Sequence, residues 1–190
     1  MTTIASNLQA VRSAIIEAAT AAGRRADEVS LLAVSKTFSH EAVRDAFLSG
    51  QTRFAESYVQ EALDKISALQ DLPIEWHYIG PIQSNKTRVI AEHFAWVHSV
   101  DRLKIAERLS AQRSAHLPPL QVCLQVNISG EDSKSGASPD QLSTLAHAIA
   151  KLPRLKLRGL MAIPAPGKDI AVQRLPFAQL HELLNQLNHQ

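Results

Sequence analysis

SLLAVSKTFSHEAVRDAFLSG, residues 30–50, decides the fold. Ser30 to Val34 is a short apolar run of strand type. Ser39 is an N-cap, Glu41 sits in the first turn that follows, and the helix runs to Gly50, so the stretch reads as one strand–helix unit. Downstream the unit repeats. A strand at Thr52 to Ala55 leads to a helix at Ser57 to Leu69, with Val59, Ala62, Leu63 and Ile66 inward. A strand at Glu75 to Ile79 leads to a helix at Ser84 to His93, and a strand at Trp96 to Val100 to a helix at Arg102 to Ser114. The fifth strand, Leu120 to Ile128, precedes a helix marked by Ser138, Pro139 at its first position and Gln141 completing a capping box. A sixth strand spans Leu157 to Leu160, and a last helix carries Phe177, Leu180, Leu183, Leu184 and Leu187. Upstream, Ile4, Leu8, Val11, Ile15 and Ala19 recur at helical spacing and end at Gly23, so an extra amphipathic helix precedes the first strand.

Strands alternating with helices predict a parallel sheet, and runs such as LQVCLQV predict burial on both faces. No G-x-G-x-x-G follows the first strand, while polar residues gather just after one strand after another, which favours a (β/α)8 TIM-type barrel with its site on one rim over an open dinucleotide-binding sheet. The expectation is thus an α/β chain forming a single domain over residues 1–190. Such barrels typically take about 250 residues, so the last two of the eight strands are expected to be absent from these 190.

The balance of 20 Lys and Arg against 18 Asp and Glu, spread along the chain, offers no footprint for nucleic acid. The single cysteine, Cys123, lies in an apolar run and reads as a buried, inert thiol. No stretch is apolar enough for a membrane span, and the expected location is cytoplasmic. The eight histidines show no H-E-x-x-H spacing, and no metal site is expected. Signatures of the common hydrolases, P-loop nucleotide binders and dithiol redox proteins do not occur.

Three stretches carry candidate chemistry. Lys36, two residues past the first apolar strand, would stand at a barrel rim in partly apolar surroundings that favour a neutral, nucleophilic amine. The run WHYIGPIQSNK, residues 76–86, ends a strand and enters a helix through a Gly-Pro turn, with Gln83, Ser84 and Asn85 at the helix start; Ser84 would cap it, and an anionic or polar ligand would suit it. FAESYVQE (54–61) and the long polar loop NISGEDSKSG (127–136) follow the second and fifth strands, where barrel function usually sits.

Taken with LLAVSKT (31–37) and RGLMAIPAP (158–166), these motifs closely resemble the pyridoxal phosphate homeostasis proteins, in order and spacing, across essentially the whole chain. The resemblance implies a single-domain barrel like the N-terminal domain of alanine racemase, binding pyridoxal 5′-phosphate (PLP) as an aldimine on Lys36. It further implies places near the cofactor for Asn85 and Met161, and for Lys134 as a second lysine. The family usually reads F-G-E-N where this chain has Phe54, Ala55, Glu56 and Ser57, so Ser57 replaces an asparagine close to the cofactor ring. Ser57 can still cap the helix but reaches less far. The family's later segments, which supply the phosphate-binding groups, have no counterpart in these 190 residues. The implied function is a non-catalytic carrier and buffer of PLP, with PLP-dependent apoenzymes as candidate recipients. The competing readings are an amino-acid racemase, which would need a second domain and an opposing acid/base, and a remnant without cofactor.

Overall fold

The computed structural model describes residues 3–130, 135–167 and 169–189. It divides into two compact units, residues 1–77 and 78–190.

In the first unit, helix α1 (Ile4–Ala21) starts with a capping box between Thr3 and Ser6. It stops where Gly23 takes a left-handed φ of 67°, as its sequence predicts. Arg12 ties α1 to the turn after helix α2 (His40–Leu48) by donating to the carbonyls of Ser49 and Gly50, at 3.2 and 2.9 Å. The Ser39 hydroxyl caps α2, accepting from the Ala42 N–H, and Val43 and Ala46 face inward. Strand β1 (Ala33–Val34) pairs in parallel with β2 (Arg53–Glu56), Ala33 opposite Phe54 and Val34 opposite Ala55.

β1 is shorter than the apolar run suggests. The buried Gln51 amide donates to the Leu31 carbonyl at 3.0 Å and to that of Arg53 at 2.7 Å, so a side chain serves the carbonyl that a longer ladder would use. Helix α3 (Val59–Ala68) follows β2. Its buried positions are Ala62 and Lys65, joined by Leu69 just beyond its end, whereas Val59, Leu63 and Ile66 are only half-buried. β3 (Glu75–Tyr78) begins where the Glu75 N–H donates to the Thr52 carbonyl at 2.9 Å.

In the second unit, β4 (Trp96–Val100), β5 (Leu120–Gln125) and β6 (Leu155–Met161) pair in parallel and in chain order. Val97, Leu120, Val122 and Leu124 are fully buried, with Ile105 and Leu109 of helix α5 (Leu103–Gln112) and Ile149 of α6 (Leu142–Ala150). The inward Arg113 guanidinium joins helix α4 (Thr87–His93) to α5 by donating to the carbonyls of Ala91 and Phe94, at 2.5 and 2.8 Å, and of Pro118 at 2.9 Å. Burial pulls its pKa down from the ordinary arginine value.

β5 ends three residues before Ile128. The backbone beyond it turns to the returning loop, with Asn127 N–H on the Ala137 carbonyl and Ala137 N–H on that of Gln125. Pro139 opens a short 3-10 turn as its position suggests, but no side-chain cap forms at Ser138, so the expected capping box is absent. Helix α7 (Ile170–Asn188) is longer than its leucine pattern marks and buries none of its residues.

Candidate functional site

Lys36 lies in a tight turn directly after β1, closed by the Phe38 N–H donating to the Ser35 carbonyl at 3.1 Å. The third residue of that turn, Thr37, has φ 68°. A β-branched residue in the left-handed region costs of order 1–3 kcal/mol, and such a conformation persists only where the surroundings impose it. Here they do. The Glu61 carboxylate of α3 accepts from the Thr37 N–H. The ammonium of Lys65, one helical turn further on, donates to the Ser35 carbonyl at 2.6 Å, to Glu61 Oε1 at 2.6 Å and to Glu56 Oε1 at 2.7 Å. The Ser35 hydroxyl also donates to Glu56 Oε1, at 2.7 Å. Ser35, Glu56 and Lys65 are buried, Glu56 completely.

The two lysines of this region are therefore opposites. All three N–H donors of Lys65 are engaged, which leaves none free for a ligand. Lys36 is exposed and makes no hydrogen bond or ion pair among the described residues. Of the two residues just after β1, Ser35 is buried and Lys36 is exposed, so the desolvation expected of the rim falls on Ser35. The Glu61 pKa is held below the usual carboxylate value, chiefly by its hydrogen bond from Lys65 and, more weakly, by that from Thr37.

Ser57 is half-buried just after β2. The cap residue of α3 is Tyr58, which forms no side-chain cap. The α3 start is organised instead by Glu61, whose carboxylate reaches back to the β1 turn.

In the second unit, the Gly-Pro turn after β3 is held by the Ser99 hydroxyl, which donates to the Gly80 carbonyl at 2.6 Å, and by the Tyr78 hydroxyl, which donates to that of Pro81 at 3.2 Å. Asn85 is exposed in a 3-10 turn, Ser84–Lys86, that leads into α4. No side-chain cap forms there, so the expected Ser84 cap is absent. The Ser84 carbonyl instead accepts from Arg108 Nε at 3.0 Å and from the Thr87 hydroxyl at 2.9 Å, while Arg102 donates to the Ile82 carbonyl at 3.1 Å. Met161, half-buried, ends β6 opposite Gln125. Lys134 lies outside the described residues. Cys123 is buried, and burial pushes its thiol up to about 11, which fits the inert reading. Among the described residues no three His, Cys, Asp or Glu side chains gather as a metal would need, and no helix is long and apolar enough to cross a membrane.

Parallel strands paired in chain order, with helices between them, define an α/β protein. Residues 6–190 match the model of the family described as alanine racemase, N-terminal domain. A pyridoxal phosphate homeostasis protein of Pseudomonas aeruginosa is 62% identical over 188 residues, covering 99% of this chain and 82% of the relative. One of Escherichia coli is 55% identical over 176 residues, covering 91% and 75%. The chain belongs to the alanine racemase N-terminal domain family and, within it, to the pyridoxal phosphate homeostasis proteins. The structure of PipY from Synechococcus elongatus with PLP bound aligns at a TM-score of 0.85 and 35% identity, over 99% of this chain and 83% of that one. Alanine racemase from Streptomyces coelicolor aligns at a TM-score of 0.69 and 21% identity, over 96% of this chain and 49% of that one, a likeness of fold.

Proposed function

We propose that this chain binds PLP through the amine of Lys36 and serves PLP homeostasis as a carrier and buffer rather than as an enzyme. The observation that carries the reading is the contrast between the two lysines: Lys36 exposed and unengaged on a braced turn, Lys65 with every N–H donor used. The Lys36 amine fits the reactive group of the cofactor. When bound, PLP supplies an aldehyde that condenses with a primary amine, releasing water, and an anionic phosphate. Lys36 offers the amine, and the tethers from Glu61 and Lys65 fix the backbone from which its side chain leaves. Ser57, Asn85, Met161 and Lys134 remain the proposed neighbours of the cofactor on the family resemblance. Residues 1–190 are proposed to act as one cofactor-binding domain.

Support for the carrier reading comes from the relatives, whose shared name is homeostasis protein, and from the PLP-bound PipY structure. The racemase likeness stays below 25% identity and spans about half of those chains, so it supports the fold and no racemase activity. Delivery to PLP-dependent apoenzymes and a cytoplasmic location belong to the same proposal. Titration with PLP tests it. A visible absorption band should form in the parent and be lost in Lys36→Ala, with no racemisation or transamination of common amino acids. Robust turnover that is lost in Lys36→Ala would overturn the carrier reading, and a band that survives that substitution would overturn the assignment of Lys36.

A further inference from the structure

Glu61 stands 24 residues from the turn after β1, yet its carboxylate touches that turn in two ways. It accepts directly from the Thr37 N–H, and through the Lys65 ammonium it is linked to the Ser35 carbonyl on the other side of Lys36. The flanks of Lys36 are therefore both held from α3, while Lys36 itself makes no hydrogen bond or ion pair among the described residues. Thr37 is the weak point, because a β-branched residue at φ 68° leaves that conformation once its tether is cut.

We propose that Glu61 is a positioning residue for Lys36: by clamping Thr37 in the left-handed conformation and anchoring Lys65, it keeps the turn in the one arrangement that presents the Lys36 amine to PLP. This rests on the reading of Lys36 as the attachment point. Glu56 has a different part. Its fully buried carboxylate meets Ser35 and Lys65 but not the Thr37 amide, so it supports the network from beneath without holding the turn itself. The depressed pKa of Glu61 agrees with a carboxylate that stays ionised for both contacts.

Two variants separate positioning from general stability. Glu61→Ala removes both contacts; Glu61→Gln keeps an oxygen of similar reach for the Thr37 N–H and gives up the charge. Glu61 is only partly buried, with 31% of its side chain exposed, so both variants are expected to fold. Amide hydrogen exchange of Thr37 is measured in the protein without PLP, and the rate of visible-band formation is measured after mixing with PLP. Glu61→Ala should speed Thr37 exchange about tenfold or more, the effect of losing a charge-assisted hydrogen bond. It should slow band formation by about the same factor, as the competent turn becomes a minor conformer. Glu61→Gln should recover most of both effects. Unchanged Thr37 exchange in Glu61→Ala, or slowed band formation without it, would overturn the proposal. So would failure of Glu61→Gln to recover either effect. If the parent forms no band at Lys36, the functional reading fails, and Thr37 exchange in the PLP-free protein still decides whether Glu61 holds the turn.

Discussion

Replacing Lys65 by alanine should be far more damaging than replacing Lys36, although Lys36 is the residue proposed to do the chemistry. Lys65 is 6% exposed at its side chain and Glu56 is 0% exposed. Without the ammonium, Glu56 would keep one donor, the Ser35 hydroxyl, on Oε1, while Oε2 has no partner among the described residues. Breaking a buried pair by removing one member typically costs about 3–5 kcal/mol, because the remaining charge is left without compensation. The half-exposed Glu61 adds little, since water replaces its partner. Lys36 is exposed and unpaired, so Lys36→Ala should fall within about 0.5 kcal/mol of the parent. Urea unfolding followed by tryptophan fluorescence measures both, with Trp76 packed on Phe54 as reporter in the first unit. Adding Glu56→Gln to Lys65→Ala should recover about 1–2 kcal/mol, the signature of direct coupling. A Lys65→Ala cost below about 1 kcal/mol, or equal to that of Lys36→Ala, would refute the reasoning.

Three further outcomes follow. Cys123, buried and with its thiol raised to about 11, should resist alkylation at pH 8 in the native protein and react once unfolded; equal rates in both states would contradict its burial. The pKa of His77 is lowered by burial against the smaller raising effect of Glu75, so the unfolded chain binds the proton more tightly. Its contribution is therefore intact above about pH 6.5 and declines as pH falls below it; urea midpoints at pH 7.5 and 5.5 should differ, and by less in His77→Gln. Gly136 has φ 132°, and a Cβ there would come within 2.5 Å of the Asn127 nitrogen, so Gly136→Ala should cost about 2 kcal/mol or more in the same unfolding assay.

The strand–helix alternation was legible because apolar runs and helical stripes each carry their own period, and the first cap, Ser39, sits where its sequence position says. Other caps misled. Ser84 and Ser138 each stand near a helix start without forming a side-chain cap there, since a serine signals only that a cap can form. The start of β1 was hidden by Gln51, a side chain that takes the carbonyl of Leu31. The network behind Lys36 went unread for a similar reason. Glu61 and Lys65 have the i,i+4 spacing of an ordinary surface pair, and only the tertiary fold brings them to Ser35 and Thr37. Two signals were available: a glutamate ending the apolar strand at Glu56, and Lys65 falling between Ala62 and Leu69 on the buried stripe. Lys36 is singled out by its place after a strand, while the buried position just past that strand belongs to Ser35.

The central claim is that PLP attaches at Lys36 and at no other lysine, and borohydride reduction of the PLP-loaded protein followed by tryptic peptide mapping tests it most directly. A modified lysine is not cleaved, so attachment at Lys36 yields one reduced, labelled peptide spanning residues 26–44. Attachment at Lys65 would give residues 54–86, and at Lys86 residues 66–88. The label is expected on 26–44, present in the parent and gone in Lys36→Ala. A label mainly on 54–86, 66–88 or the peptide containing Lys134 would contradict it.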